Sequence, residues 1–146
     1  MKKNNLFIVI VGCGRLGYQL ADNLSRHNHS VVIVDREESA FNKLSDDFSG
    51  FRIEGDASQI SVLKQANMHK ADVVIAATHE DNRNLMIAQI AQKIFKVPHA
   101  IARIYDPNRE KTFDRLGIKT ICPTKIAANK FLNAILKRNT EYDDGE

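Results

Sequence analysis

The chain has 146 residues, enough for one domain with a sizeable core, and its 43% hydrophobic and 27% charged content is that of an ordinary soluble globular protein. No apolar run reaches transmembrane length, and a net charge of +3 from 21 basic and 18 acidic residues is too balanced to imply a nucleic-acid partner. The lysines before the first apolar run do not make a secretory leader, because that run is short, lacks a small-residue cleavage site and ends in glycines.

The first predicted strand, Leu6 to Val11, is an unbroken apolar run of the kind buried on both faces of a sheet. Gly12, Gly14 and Gly17 follow as G-x-G-x-x-G, and a helix covering Arg15 to His27 begins within the motif, with Leu16, Leu20 and Leu24 four apart. Strand, glycine turn and helix stand in the order of a dinucleotide fingerprint. Gly12 permits the sharp turn, Gly14 lets a pyrophosphate approach the backbone, and Gly17 lets the helix pack close to the strand. The free N–H groups and positive dipole end of the helix then face the phosphates. Cys13 and Leu16 lie inside this loop. Cys13 is read as a small residue filling the turn; with Cys122 it makes two reduced thiols rather than a disulfide or a metal pair.

The second strand, Ser30 to Asp35, ends in an acid 18 residues after Gly17. A carboxylate there accepts both ribose hydroxyls of an adenosine and repels a 2′-phosphate, which favours NAD or ATP over NADP; Arg36 beside it softens that exclusion. A helix is predicted from Glu37 to Asp47, with Phe41, Leu44 and Phe48 at helical spacing. Strand three is Phe51 to Gly55, a short helix covers Gln59 to Ala66, and strand four is Asp72 to Thr78. The helix from Asp81 to Phe95 is apolar on nearly all sides, which predicts deep burial in the core or in a dimer. Asp81 is its expected N-cap and Pro98 stops it. Strand five is His99 to Ile104. Asp106-Pro107 opens a helix that Gly117 ends, and strand six is Ile118 to Cys122. Pro123 opens the last helix, whose Ala128, Phe131, Leu132, Ile135 and Leu136 make a wide apolar stripe. Residues 139–146 are polar and acidic and are expected to form a flexible tail, leaving 1–138 as the domain.

Alternating strands and helices imply an α/β, doubly wound Rossmann fold: a six-stranded parallel sheet in the order 3-2-1-4-5-6 with helices on both faces. A ligand then lies at the carboxyl ends of strands one and four, where the winding reverses. This brings Gly12 to Gly17, Asp35 and Ala76 to Thr78 to one crevice, with Gly55-Asp56 on the adenosine side.

Four segments now resemble a known family, the RCK N-terminal (KTN or TrkA-N) domain, the cytosolic nucleotide-binding domain that regulates potassium channels and transporters. They are VGCGRLG; VVIVDRE; IEGDASQISVLKQANMHKADVVIAAT; and THEDNRNLMIAQIAQK followed by the strand IARI. The resemblance runs from Leu6 to Leu136. It implies that Gly12, Gly14 and Gly17 line the diphosphate of NAD(H), ATP or ADP, with AMP a further candidate. Arg15 would reach a terminal phosphate, across a subunit boundary in one arrangement. Asp35 would hold the ribose, Asp56 and Ala57 would frame the adenine, and Ala77 and Thr78 would lie by the phosphates or second ribose. Asn84 would stand near the same opening, and Arg103 would be an anion partner. Alternatives remain open at the residue level. Asp56 can instead cap the helix at Gln59, Thr78 can merely end its strand, and Arg103 can pair with a structural carboxylate.

The resemblance further implies a cytoplasmic regulatory subunit, held at the inner face of the membrane by a potassium channel or transporter partner. It implies a homodimer or larger ring in which the last helix crosses to a neighbouring subunit, against the plainer reading that this helix covers its own sheet. The commonest arrangement of the family carries a second, C-terminal subdomain, which is expected to be missing here together with any second-ligand site it would carry. No catalytic set stands out. His27, His29, His69, His79 and His99 lack metal spacing, and no structural metal is predicted. His79 is read as a solvated loop residue. Neither Tyr18 nor Tyr105 has a lysine four residues on, and G-x-S-x-G and P-loop motifs are absent. The expectation is a binding module without turnover; the rivals are an NAD-dependent oxidoreductase fragment and a scaffold with an empty glycine turn.

Overall fold

A computed structural model describes residues 4–143, with side chains described through Lys137. Six strands form one parallel sheet in the order β3-β2-β1-β4-β5-β6: β1 Phe7–Val11, β2 Ser30–Asp35, β3 Phe51–Glu54, β4 Val73–Ala76, β5 His99–Arg103 and β6 Lys119–Ile121. The helices are α1 Arg15–Arg26, α2 Ile60–Gln65, α3 Asp81–Lys93, α4 Glu110–Arg115 and α5 Pro123–Asp143. This is the doubly wound order expected from the alternation of patterns. β1 pairs with β2 on one side and with β4 on the other, so the winding reverses at its carboxyl end.

The alternation of side chains along the central strands divides the interior into two cores. Val9, Val11, Val32, Val34, Val74 and Ala76 face Leu63 of α2, Ile87 of α3 and Phe113 of α4. Ile8, Ile10, Val31, Ile33 and Val73 face Ala21 of α1 and Phe41, Leu44 and Phe48. Each fully buried valine or isoleucine contributes about 1.5–3 kcal/mol relative to exposure, which is why apolar runs occupy the sheet centre.

Three elements differ from the sequence expectation. The segment 37–47 forms only a 3₁₀ helix over Glu38–Lys43, although Phe41, Leu44 and Phe48 are all buried as their spacing predicted. The Asp22 carboxylate accepts from the Ser45 N–H at 3.1 and 3.2 Å, holding the chain in a turn where a helix would have continued. Asp81 does not cap α3. Its carboxylate accepts from the Tyr105 and Asp106 N–H groups at 2.8 and 3.2 Å, tying the loop after β5 to the start of the helix. Finally, α5 runs to Asp143, across part of the segment 139–146 expected as a tail, since no glycine or proline interrupts it before Gly145. Residues 144–146 lie outside the described residues.

α3 buries Asn84, Ile87, Ala88 and Ala91 within its own chain and turns Met86 outward. Among the described residues α5 adds none to either core, and its Ile126, Phe131, Leu132, Ile135 and Leu136 are all more than half exposed. Among the described residues no helix is long and apolar enough to cross a membrane.

Candidate functional site

The carboxyl ends of β1, β2 and β4 open into a cleft of about 280 Å³, lined on its floor by Gly12, Gly14, Asp35, Ala57, Ala77 and Thr78. The glycine turn is built by backbone geometry. Gly12 has φ of +105°, and a Cβ there would stand 2.6 Å from the Ala77 carbonyl oxygen. A Cβ on Gly17 would stand 1.8 Å from the Gly12 oxygen, so the first turn of α1 can lie against the loop only because that atom is missing. Gly14 differs: a Cβ there would meet nothing nearer than the His79 ring at 3.7 Å. Gly14 thus leaves room for a Cβ at ordinary contact distance from the His79 ring, and both residues line the cleft. Gly14 is also the N-cap of α1 and supplies no side chain to it, leaving the first-turn N–H groups unclaimed by any capping side chain.

Asp35 joins this turn to the second strand. Its Oδ2 accepts from the Cys13 N–H and its Oδ1 from the Glu37 N–H, both at 2.8 Å. Each oxygen keeps a lone pair for a hydroxyl donor in the cleft. Cys13 itself is buried, its thiol directed at the Ala40 carbonyl oxygen. Burial first, and the Asp35 carboxylate second, push the thiol up to about 11, so it is no nucleophile at neutral pH.

The other expected residues divide. Arg36 lines the cleft beside Asp35, while Arg15 and Leu16 sit on α1 outside its lining. Asp56 also lies outside the lining, between Gly55 and Ala57, which do line it. Its Oδ1 accepts from the Ser58 N–H at 2.9 Å and the Ser58 hydroxyl at 2.7 Å, and it forms an ion pair with Arg83 of α3. The two Ser58 hydrogen bonds and the Arg83 guanidinium hold this carboxyl down at about 2. Asn84 is fully buried. Its Oδ1 accepts from the Thr78 N–H and hydroxyl, and its Nδ2 donates to the Thr78 and Arg103 carbonyls. It therefore fixes the ends of β4 and β5. Arg103 stacks its guanidinium on the Tyr105 ring, 4.3 Å from the centroid, and does not line the cleft.

The structure adds Glu37, His79, Glu80 and Arg83 to the lining. Arg83 was not singled out in the sequence. Its only signal was a lone cation between Asp81 and Asn84, one turn after the strand-four end, and the crossing to Asp56 joins residues 27 apart in the chain. Among the described residues no group of histidine, cysteine and carboxylate side chains is placed to hold a metal ion.

The arrangement brings the N–H groups of the α1 start and the remaining lone pairs of Asp35 to one cleft that Ala57 also lines. The profile of the TrkA-N domain family matches residues 8–123. The chain is 35% identical over 136 residues to the Trk system potassium uptake protein TrkA of Streptomyces coelicolor, covering 93% of this chain and spanning 61% of that relative's length. Among solved structures, the C-terminal domain of Kef from Shewanella denitrificans in its AMP-bound form matches with a TM-score of 0.78 at 23% identity, covering 90% of this chain and 80% of that one. The GsuK structure bound to ADP matches with a TM-score of 0.77 at 23% identity, covering 90% of this chain and 34% of that one.

Proposed function

From the premise that this chain belongs to the TrkA-N domain family, we propose that it is a nucleotide-sensing regulatory domain of a potassium transport system. Its ligand is an adenine nucleotide, ATP, ADP, AMP or NAD(H), and its role is binding without turnover. The observation that carries this reading is the joint placement of Gly14 and Asp35 on one cleft: a helix start with no capping side chain, where a Cβ would meet nothing nearer than 3.7 Å, and a carboxylate hydrogen-bonded at 2.8 Å to the same loop. The glycine turn takes the diphosphate, Asp35 the ribose, and Gly55 and Ala57 the base side. Ala77 and Thr78 border the phosphates or a second ribose. Arg15, exposed at the start of α1, is free to meet a terminal phosphate from its own or a neighbouring subunit. The AMP-bound and ADP-bound relatives of the same fold support adenine as the base.

Regulation needs two arrangements with different affinities for the ligand, since a nucleotide shifts an equilibrium only by that difference. We assign this to a homodimer or larger ring built through α5. Its Ile126, Phe131, Leu132 and Ile135 are each more than half exposed, and Ile75 and Ile101 of β4 and β5 are only partly covered on the face where such a helix would pack. The membrane partner is a potassium channel or transporter subunit at the cytoplasmic face, and residues 1–138 form the sensing unit.

Native mass spectrometry with and without ATP, ADP, AMP and NAD tests both halves of the reading. A mass shift of one nucleotide per chain on a dimeric species is the expected result. A monomer that takes up none of the four rejects it. Sustained oxidation of reduced nicotinamide by the protein with candidate substrates would instead point to an oxidoreductase.

A further inference from the structure

We propose that His79 is a phosphate ligand of this cleft, with Tyr105 as the positioning residue that aims it. The inference rests on the nucleotide-binding reading above and adds a side-chain donor, besides Arg15, to a cradle whose glycine turn is backbone.

His79 lies on the loop after β4, exposed, and lines the cleft. The Cε1–Nε2 edge of its ring stands over Gly14: those two atoms are 3.7 and 3.8 Å from where a Cβ on that glycine would sit. The ring edge therefore borders the space over the α1 start in which the diphosphate would lie. The opposite nitrogen, Nδ1, is 3.1 Å from the Tyr105 hydroxyl. In this assignment that hydroxyl donates to Nδ1, which puts the ring N–H on Nε2, the atom turned to the cleft. The ring is thereby a donor where an anionic oxygen would arrive.

Tyr105 is itself held from two directions. Its backbone N–H donates to Asp81 Oδ1 at 2.8 Å, and its ring lies beneath the Arg103 guanidinium at 4.3 Å. β5, α3 and the loop after β4 thus converge on one imidazole. This gives Arg103 and Asp81 a role at the site without contact to ligand.

The charges lining the cleft favour such a donor. Asp35, Glu37 and Glu80 line it against Arg36 and Arg83, and the Arg83 guanidinium is committed to Asp56. The lining therefore has no excess of cationic side chains at the phosphate end. Within the lining an anion would be met by directed N–H groups, those of the α1 start and His79 Nε2, with Arg15 outside it left for a terminal phosphate.

The test is to measure the affinities of ADP and adenosine for the whole chain and for His79→Ala, His79→Gln and Tyr105→Phe, by displacement of a fluorescent ADP. His79→Ala should weaken ADP about tenfold and leave adenosine unchanged, because only the phosphates meet the ring. His79→Gln, which carries an N–H donor at a similar reach, should recover most of the loss. Tyr105→Phe should give a smaller loss with ADP alone. Equal ADP affinity in the wild type and His79→Ala, or an equal loss for ADP and adenosine, overturns the assignment while leaving the nucleotide site standing. A wild-type chain that binds neither compound overturns that site and this assignment with it.

Discussion

Asn84 Oδ1 lies 2.8 Å from the Thr78 amide nitrogen and 2.6 Å from its hydroxyl, and the Nδ2 of the same side chain donates to the Thr78 and Arg103 carbonyls at 3.1 and 2.9 Å. One fully buried amide thereby fixes the strand ends that border the cleft. Two strand termini that would otherwise leave buried backbone groups unpaired are satisfied by a residue from the helix between them.

Asn84→Ala should lower folding stability by about 2–4 kcal/mol, since buried groups on two strands lose their partner together. Urea denaturation checks this. A loss under 1 kcal/mol would mean that water replaces the amide without cost.

Gly14 and Gly17 should separate binding from folding. A methyl at Gly14 meets only ordinary contacts, so Gly14→Ala should melt near the wild-type temperature but lose the thermal stabilisation that ADP gives; Gly14→Val should lose it fully. Gly17→Ala drives a Cβ into the Gly12 carbonyl and should cost about 3 kcal/mol or more. If ADP stabilises Gly14→Val as much as the wild type, the diphosphate lies elsewhere.

Asp35→Ala removes an acceptor from the ribose and from the Cys13 and Glu37 N–H groups. Adenosine ligands should bind about 1–3 kcal/mol more weakly, roughly five- to 150-fold. Calorimetric titration with ADP reads it, and an unchanged affinity would argue against the sugar contact.

The Asp56 carboxyl is lowered from 3.8 to about 2 by Ser58 and Arg83 in the folded state. A depressed folded value means that the unfolded chain binds the proton first as pH falls. The stabilisation is therefore complete above about pH 5 and lost between there and pH 2. In Asp56→Asn that segment of the acid-side slope should flatten. The urea midpoint between pH 5 and pH 2 is the measurement, and identical slopes in the two proteins would deny the carboxylate its partners.

Much of the architecture was legible because it depends on local patterns. Runs such as FIVIV and SVVIVD can be satisfied only at a sheet centre, and alternation with amphipathic helices leaves few topologies. Gly12 and Gly17 were readable for a similar reason: their backbone geometry tolerates no side chain, whatever the rest of the molecule does. The stretch 37–47 misled because its apolar spacing suits a helix, yet the competitor is the Asp22 carboxylate, 23 residues away from Ser45 in the chain. Nothing local announces that hydrogen bond. Asp81 was misassigned as a cap on the same account, since the N–H groups it serves lie 24 and 25 residues further on.

Periodicity and a glycine spacing thus determined the fold and the mouth of the cleft, because each is set by atoms near in sequence. Which side chains face that mouth was decided only in three dimensions. Arg83 reaches across to Asp56, Tyr105 turns His79 over Gly14, and Asn84 is spent entirely on holding two strands. These roles depend on pairings between elements brought together by the sheet, and a side chain's chemistry becomes definite only once its partners are in place.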